Sequence, residues 1–514
     1  EASWADDHTY NIPPVFNDAD NDDFSLDDAS PLIGMGIANW TEESITAPTK
    51  DINKTTRGTP PDIGAYENAL DASTAPLPVT GLTGEPVTNG AKLTWSANDA
   101  SLTSTTDATD IKRYEVHQLY NSSYVPVDSV TTNTATIKKY WDGTELVSNL
   151  VHGTAYTFKV RAVNTSDVAG GFSDTEVVTP EFKGPKWYVS TSGSSTSEGS
   201  STAPLSHLEG AIEKAASGDT VVVLKGTHSG SNNRGINFDD SSKPIVIMGD
   251  PSYPADSTII DAGGRDRHFV FDNGEDTTYQ VIGLTLYNGS SGHGGSVYVY
   301  NNSNPLFKNV VFKSNTNAHD SWEGGGAVYI HWASAVFYDC RFEGNTRDYT
   351  SDDNNAAYGG AIWINYHNSG QPVTRFIRCI FKDNIAKGQR DARGGALYAR
   401  EAPVTILNSL FYNNTTRSSV DNSDSYESKG GAIYIDGPSS WDGSDWQGAE
   451  ARIINCTIAN NYSLSDKSSS HTVGAGIFLN GWSRDEKFYS FNNIVWGNTV
   501  TTVNYAKRSV QSDF

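Results

Sequence analysis

The chain has 514 residues, which is enough for about three domains. Its 37 basic and 61 acidic residues give a net charge of −24, which argues against nucleic acid as a partner and for a soluble, self-repelling surface. No apolar run approaches the roughly 18 residues of a membrane span, and the abundance of Gly, Ser, Thr, Asn and Asp predicts an all-β protein.

Residues 1–75 form an acidic, turn-rich segment with too few apolar residues to hold a core alone. The segment contains Phe24-Ser25-Leu26, then Ser30-Pro31-Leu32-Ile33-Gly34, then Asp62-Ile63-Gly64-Ala65-Tyr66-Glu67. These residues resemble the ending of a secreted right-handed β-helix family, the choice-of-anchor Q domain, which finishes with the pattern DF-L…SP-I-G…DIGAYE. The resemblance implies that residues 1–75 are the C-terminal end of a β-helix unit.

A possible metal site lies in the same acidic segment. Asp18, Asp20 and Asp22 alternate with other residues, as oxygen ligands do in a Ca²⁺ loop. The glycine and the distal bidentate Glu of such a loop are absent. Calcium binding and a solvated acidic turn are therefore both open interpretations.

Residues 76–181 have the length and alternation of a small β-sandwich. Strand-like runs occur at residues 93–95, 114–116 and 156–162. The segment resembles a fibronectin type III module, in which Trp95 would be the core tryptophan and Tyr156 the tyrosine of the corner that closes the sandwich. Such modules are spacers or contact modules, and nothing in this one suggests chemistry.

The large domain, residues 186–514, opens with a strand at Trp187-Tyr188-Val189 and a short helix. Leu208, Ala211, Ile212 and Ala215 share one face of that helix. The arrangement resembles the N-terminal cap of pectin-lyase-like β-helices, where a helix covers the open end of the first coil. A cap is needed because the first coil has unpaired backbone edges.

Two phrases then alternate along the chain. The first is a glycine-rich phrase that begins at residues 294, 325, 359, 394, 430 and 474, in steps of 31, 34, 35, 36 and 44 residues. The second is an apolar residue followed three positions later by Asn. Its copies are Phe312/Asn315, Phe342/Asn345, Phe381/Asn384, Phe411/Asn414, Ile458/Asn461 and Val495/Asn498. Two short strand phrases per period with variable polar inserts indicate stacked coils.

The phrases favour a right-handed parallel β-helix. Each has period-2 alternation with β-branched or aromatic residues, and such a strand can bury its apolar face only by stacking on the equivalent strand of the next coil. Glycine pairs suit tight corners, and Asn suits a corner because it tolerates the left-handed region and can stack into a ladder. A β-propeller or a sandwich is the alternative, although propeller blades need about four strands per period.

An aromatic residue occupies the same place in every glycine-rich phrase. If the flanking aliphatic residues point inward, these rings line up on the outer surface, about 5 Å apart. Three roles are open: mutual ring packing, a contact face for another module, and a platform for stacking sugars. The aromatic row consists of Tyr298, Tyr329, Trp363, Tyr398, Tyr434 and Phe478.

No catalytic residues are assigned, and a polysaccharide lyase is the only plausible enzyme class. That class needs clustered carboxylates with a basic residue on one strand face. The repeats contain Asp339, Arg378, Asp391, Arg393, Arg400 and Glu401 among other charges, but they alternate in sign across loops. No nucleophile elbow, phosphate loop or zinc motif is present in the sequence.

The order of the segments suggests head-to-tail assembly. The last full phrase, residues 491–498, is followed by a tail with no capping helix, while the β-helix ending stands at the N-terminus. Either the chain is one period of a longer tandem polypeptide, or residues 1–75 complete the β-helix of a neighbouring chain, or a cut fell within a domain. An uncapped coil is a template for strand addition, and a contact that does not close into a ring builds a filament.

The expected function is that of an extracellular or cell-surface structural or adhesive protein, part of a head-to-tail fibre. The alternative is a secreted polysaccharide-binding or polysaccharide-degrading β-helix. Expected partners are further copies of the chain and, in the alternative, a polysaccharide. No cofactor other than Ca²⁺ is suggested.

Overall fold

The computed structural model describes residues 14, 16–27, 30, 32–33, 39–40, 45–58, 61, 64–68, 76–96, 111–238, 243–317, 324–349, 356–367, 370–419, 427–437, 450–466, 471–480 and 487–502. They belong to two units, Glu1–Lys183 and Gly184–Phe514, and each is described by itself. The domain boundaries predicted at residues 75 and 181 stay predictions. Parts of the predicted β-helix ending, among them Pro31, Gly34, Asp62 and Ile63, lie outside the described residues, as does the tail from residue 503.

The first unit begins with a small hairpin. Strand Phe16–Asp18 pairs antiparallel with Asp23–Leu26 around the 3-10 turn Ala19–Asn21, and a second short pair joins Asn39–Trp40 to Ile45–Thr46. Leu26, Leu32 and Ile33 are buried together and Phe16 packs against them. These four residues form the apolar cluster of this segment within its described part.

The rest of the first unit is a fibronectin type III-like sandwich. One sheet contains Thr83–Val87, Gly90–Thr94 and Thr134–Ile137. The other contains, in spatial order, Glu176–Val178, Tyr156–Asn164, Ile111–Tyr120 and Ser123–Val130, and a further pair is Lys139–Trp141 with Leu146–Ser148.

The two aromatic residues predicted for this sandwich occupy the expected places. Trp95 is buried and its ring meets that of Tyr114 edge-on at 5.3 Å between centroids. The Tyr156 hydroxyl accepts a hydrogen bond of 3.0 Å from the backbone N–H of Val151. This is the bond that defines a tyrosine corner, so Tyr156 fixes the loop to the strand that follows it.

The second unit begins with the predicted cap. Helix α1, Leu208–Lys214, buries Leu208 and Ala211, with Ala215 buried just beyond its end and Ile212 half-buried. It packs against the first two strands of the β-helix, Lys186–Val189 and Thr220–Val223. Short 3-10 turns follow at Ser231–Asn233 and Ala255–Ser257.

All the remaining strands form a right-handed parallel β-helix. Each coil contributes strands in the order A, B, C, D, E, where C and D occur only in later coils. Sheet A contains Lys186–Val189, Thr220–Val223, Val246–Gly249, Gln280–Ile282, Leu306–Lys308, Val336–Tyr338, Thr374–Ile377, Val404–Leu407, Glu450–Ile454 and Lys487–Phe491. Sheet B contains Gly226–Ser229, Thr258–Asp261, Thr285–Tyr287, Val311–Lys313, Arg341–Glu343, Ile380–Lys382, Leu410–Tyr412, Thr457–Ala459 and Ile494–Trp496.

The remaining sheets follow the Asn corner. Sheet C contains Thr316–Asn317, Thr346–Tyr349, Ile385–Gly388, Thr415–Ser418, Tyr462–Ser465 and Thr499–Thr502. Sheet D contains Ala357–Tyr358, Ala392–Arg393, Glu427–Lys429 and His471–Val473. Sheet E contains Ile236–Asn237, Phe269–Phe271, Val297–Tyr300, Val328–His331, Ile362–Asn365, Leu397–Arg400, Ile433–Asp436 and Ile477–Asn480.

Stacked phenylalanines fill the interior behind sheet B. Phe312, Phe342, Phe381 and Phe411 stack nearly parallel, with centroid distances of 4.6, 4.7 and 4.3 Å between successive rings. Each pair contributes roughly 0.5–1.5 kcal/mol beyond the area that it buries. The apolar residue of the Asn phrase is thus the repeated core residue.

The Asn residues form the predicted ladder. The Oδ1 of Asn384 accepts the backbone N–H and the side-chain Nδ2 of Asn345, at 3.0 and 2.9 Å, while its own Nδ2 reaches Phe342 O at 2.9 Å. The same bonds link all successive copies from Asn315 to Asn498. The ladder therefore satisfies buried backbone donors at every corner.

The left-handed corner residue is not the ladder Asn, contrary to the prediction. It is the residue before it, for example Asp383 at φ 58° and Asn413 at φ 57°. The three cysteines, Cys340, Cys379 and Cys456, are buried and free.

Candidate functional site on the outer face of sheet E

Two parallel rows of side chains lie on the outer face of sheet E. The first is the predicted aromatic row, whose members pair in register from Tyr298 to Phe478. The second row lies two residues further along each strand and is here called the polar row. It consists of Tyr300, His331, Asn365, Arg400, Asp436 and Asn480.

The aromatic row lies on the outer face of sheet E, but other side chains cover its central members. The prediction that these rings lie on the protein surface is therefore wrong for the central members. Tyr329, Trp363, Tyr398 and Tyr434 are at most 3% exposed, while Tyr298 and Phe478 at the two ends are partly buried. Successive rings lie 5.0–5.8 Å apart between centroids. Of the three roles considered, mutual ring packing is the one that this burial favours.

Sheet D explains the burial. Tyr358 packs on Trp363 and Tyr398, with centroid distances of 5.1 and 4.9 Å. The guanidinium of Arg393 lies 5.5 Å from the Tyr434 ring centre, and the ammonium of Lys429 lies 4.8 Å from that of Phe478. The side chains of sheet D thus pack against the later rings of the row, from Trp363 to Phe478.

Buried charges join the two rows near Asp436. The Tyr398 hydroxyl donates a 2.7 Å hydrogen bond to Asp436, and the side chain of Asn480 donates another of 2.7 Å. Arg393 lies 4.0 Å from Asp436 and 3.1 Å from Asp391. A cation, two carboxylates and hydrogen-bond donors therefore compensate one another inside this cluster.

The pKa values describe a structural cluster and not a base. Burial raises the pKa of Tyr398 well above its ordinary value, and the nearby Asp436 carboxylate raises it further. Burial alone would lower the pKa of Arg393, but the surrounding tyrosines and Asp391 raise it overall. At neutral pH the phenol keeps its proton and the guanidinium keeps its charge, so neither group is poised to accept a proton.

The polar row holds a hydrogen-bonded group at His331. The Tyr329 hydroxyl lies 3.0 Å from His331 Nδ1, and Asn365 Nδ2 donates to that hydroxyl at 3.1 Å. Asn365 is 3% exposed, and its buried Oδ1 has no hydrogen-bond partner among the described residues. This network orients the imidazole ring, which stacks on its neighbour Trp332.

An exposed aromatic patch begins where the polar row turns out of sheet E. It consists of Tyr300, His331, Trp332 and Tyr366. Trp332 is 42% exposed, and its ring lies 4.8 Å from His331, 6.4 Å from Tyr300 and 6.2 Å from Tyr366. The patch thus presents aromatic rings from three consecutive coils.

The backbone at this turn is strained. Trp332 and Tyr366 have φ of 46° and 61°, a left-handed conformation that bulky side chains rarely adopt. Asn301 and Glu401 occupy the equivalent turn positions of the flanking coils, with φ of 54° and 49°. Such a conformation costs on the order of 1–3 kcal/mol and is concentrated at functional sites. The patch was not predicted from the sequence. In two coils it is marked by an aromatic residue three positions after the aromatic residue of the glycine-rich phrase.

Charges at the patch are paired. Arg400 lies over Tyr366, 5.0 Å from the ring centre, and its Nε is 3.5 Å from Glu401. Away from the patch, Arg378 and Asp339 pair at 2.7 Å on the turn between sheets A and B, and both side chains are substantially exposed. The charged residues considered for lyase chemistry therefore form separate ion pairs between or within coils, and they are not brought into one site.

The predicted calcium site is not formed. Within the described ranges, no group of three or more His, Cys, Asp or Glu side chains is arranged to hold a metal ion. Asp18 accepts a 2.7 Å hydrogen bond from Asn21, and Asp22 takes the left-handed position that ends the 3-10 turn. Asp18, Asp20 and Asp22 lie on and beside the 3-10 turn Ala19–Asn21 without forming such a group, which favours the solvated acidic turn of the two interpretations.

No described helix is long and apolar enough to cross a membrane. Among protein families, residues 408–436 match the Chlamydia polymorphic membrane protein repeat. This stretch contains one Asn phrase and one glycine-rich phrase. It is 29 of 514 residues, and no curated protein matches the chain.

Solved structures similar to the chain are of two kinds. The first kind is represented by the structure of "FN3tt mut", which is 24% identical over 20% of this chain and 91% of the other, with a TM-score of 0.14. The second kind is represented by two enzymes. A family 28 exopolygalacturonase from Yersinia enterocolitica is 11% identical over 82% of this chain and 99% of the other, with a TM-score of 0.17. A rhamnogalacturonan lyase is 15% identical over 60% and 87%, with a TM-score of 0.22.

Proposed function

We propose that this protein is an extracellular or cell-surface structural or adhesive protein, a subunit or repeat period of a head-to-tail fibre. In this proposal, residues 1–75 of one unit complete the β-helix of the next, whether from a second chain or from the same polypeptide. The similarity of residues 408–436 to a repeat of a membrane protein family supports the surface location. The observation that carries the assembly is the state of the last described coil.

Apolar side chains of the last coil are exposed to water. Phe491, Ile494 and Trp496 are 59%, 61% and 61% exposed. Inward positions lose their cover as well: Ser490 is exposed and Val495 is half-buried, whereas their counterparts Ile453 and Ile458 in the preceding coil are fully buried. An apolar surface of this kind marks an interface.

Three sheets have an outer edge at the same place that pairs with no other described strand. Strands Lys487–Phe491, Ile494–Trp496 and Thr499–Thr502 are the terminal described members of sheets A, B and C. The Asn ladder ends here too, because no described side chain accepts the backbone N–H of Asn498 as Asn498 accepts that of Asn461. A further coil would pair these backbone groups and extend the ladder.

Residues 1–75 are the proposed occupant. They carry the resemblance to a β-helix ending, and Phe24 in the hairpin strand Asp23–Leu26 is 47% exposed. Docking of this segment would cover apolar surface on both sides. A heterologous contact between two different surfaces leaves the partner surfaces free for further copies, so the assembly grows as a fibre.

Light scattering over a concentration series tests the proposal. The full chain should show a mass that increases with concentration in whole multiples of the chain. Val495→Asp places a charge at the open end and should hold the chain as a monomer, whereas Val177→Asp, on an exposed strand of the sandwich, should assemble like the natural sequence. A monodisperse monomer of the natural sequence at every concentration would contradict the proposal.

A second candidate is a secreted polysaccharide-binding or polysaccharide-degrading, lyase-like protein. The exposed aromatic patch around Trp332 favours binding, since aromatic rings with polar neighbours stack on sugar rings. The charged residues give degradation less support because each base considered is paired with a carboxylate. Retention on polysaccharide without product release would distinguish binding from cleavage.

A further inference from the structure

We propose that the aromatic patch around Trp332 is a binding site for a neutral polysaccharide, with the Trp332 ring as its main stacking platform. The inference rests on the second candidate function and is independent of head-to-tail assembly. Its basis is the joint occurrence of an exposed ring, a strained backbone and a supporting network beneath the ring.

The supporting network holds the platform in place. Trp332 stacks on His331 at 4.8 Å with an interplanar angle of 26°, and His331 is fixed by its contact with Tyr329. Gln371 donates a 3.4 Å hydrogen bond to the backbone oxygen of Trp332. A ring held from behind and from the side loses little conformational freedom when a ligand covers its open face.

The left-handed backbone aims the ring outward. Asn301 takes the equivalent position one coil earlier at φ 54°, where an Asn accepts this conformation at little cost. The turn takes this conformation in four successive coils, so the fold sets the backbone, and at Trp332 it carries a ring that remains 42% exposed. What distinguishes this coil is a large aromatic residue at a position that Asn fills at less cost, and this choice supports a role outside the fold.

Two side-chain oxygens near the platform have no hydrogen-bond partner among the described residues. Gln371 Oε1 is shielded and has no hydrogen-bond partner among the described residues, and the same is true of Asn365 Oδ1 beneath the patch. Buried oxygens without partners are costly, and at the half-buried Gln371 a small side-chain rotation would let a ligand hydroxyl donate to Oε1. Sugar rings combine such hydroxyls with the apolar faces that stack on indole.

Charge selects a neutral ligand over an acidic one. Arg400 at the patch is countered by Glu401, 3.5 Å away, so the site offers no free cation in its described part. The chain as a whole carries a net charge of −24 and repels polyanions. A chain of uncharged hexoses avoids this repulsion and still matches rings from successive coils.

Affinity electrophoresis through gels containing soluble β-glucan, together with pull-down on cellulose, tests the site. Trp332→Asn keeps a residue suited to the left-handed turn and removes the ring, and it should weaken retention about fivefold or more. Trp332→Phe should restore most of the retention. Tyr253→Asn removes an aromatic residue that is 45% exposed elsewhere on the β-helix and should behave like the natural sequence.

The outcomes separate the site from the broader function. Retention of Trp332→Asn equal to that of the natural sequence would overturn the site while leaving polysaccharide binding in place. Absence of retention of the natural sequence on both neutral probes, β-glucan and cellulose, would overturn the site. Gels containing polygalacturonate are the acidic probe, and retention in these gels alone would overturn the site by showing that the preferred ligand is acidic. Absence of retention on all three would overturn the second candidate function as well. Light scattering on the same samples reports assembly separately.

Discussion

Asn461 donates hydrogen bonds from its backbone N–H and from its side-chain Nδ2 to Oδ1 of Asn498, at 2.9 Å in both cases. The same pair of bonds recurs at each earlier step of the ladder. Asn498 is 8% exposed and donates from Nδ2 to Ile458 O at 2.8 Å, but it has no following Asn among the described residues. At Asn498, the last described residue of the ladder, the donors therefore lack the following Asn that accepts them at every earlier step.

Removal of a central ladder residue should destabilise the β-helix strongly. Asn384→Ala leaves the donors of Asn345 and the carbonyl of Phe342 without partners in a buried corner. We expect a loss of at least about 2 kcal/mol in unfolding free energy, measured by urea denaturation. Asn232→Ala, at an exposed site, is the matched control and should change it by less than about 0.5 kcal/mol. Equal stability of both variants would show that the ladder is not important to the fold.

The buried part of the aromatic row should act in stability alone. Trp363→Ala removes a ring that is 3% exposed and packed by Tyr358, so we expect a loss of about 3–5 kcal/mol. Retention on β-glucan at a temperature where the variant is folded should be unchanged. A specific loss of retention with unchanged unfolding would revive the sugar-binding role for this row.

Tyr398 should make the protein sensitive to alkali. Because burial raises the pKa of its phenol in the folded state, the stabilisation is complete below the ordinary value of 10.0 and is lost as pH rises above it. Tyr398→Phe cannot ionise there, so its stability should fall less steeply above pH 10. The same variant should be less stable at pH 7, by about 1.5–3 kcal/mol, because Asp436 loses a hydrogen bond. Identical alkaline unfolding curves would contradict this account.

His268 should make the protein sensitive to acid. Burial lowers its pKa from 6.5 to about 4, and its Nε2 lies 2.9 Å from Ile260 O inside the β-helix. The neutral ring is favoured in the fold, so this stabilisation is complete above pH 6.5 and is lost as pH falls towards 4. The shift corresponds to roughly 3 kcal/mol. His268→Gln should flatten the pH dependence of unfolding between pH 4 and 6.5, and an unchanged slope would rule out this histidine as its source.

The sequence was sufficient for the repeat and its inner residues. The spacing of Phe342 and Asn345, repeated in other coils, predicts a stacked core and a ladder because both depend only on register within one strand. The face of Tyr398 also follows from alternation. Its burial does not, because it depends on Tyr358 in sheet D, a strand within a variable insert that has no repeated pattern.

The exposed patch and the acidic turn show the same limit. Trp332 stands just beyond the repeated phrase, at a left-handed turn position that Asn301 and Glu401 occupy in other coils, so the repeat does not predict a projecting ring there. Asp18, Asp20 and Asp22 have the spacing of calcium ligands, but they lie on and beside a 3-10 turn, where no group of three or more ligand side chains forms among the described residues. Local spacing constrains one strand, whereas a site depends on how separate segments meet.

Electron microscopy of the purified 514-residue chain tests the central claim most directly. Assembly through the last coil predicts unbranched fibres with a regular axial repeat, and it predicts discrete particles for Val495→Asp under the same conditions. Discrete particles of the natural sequence at all concentrations, identical to those of Val495→Asp, would contradict head-to-tail assembly.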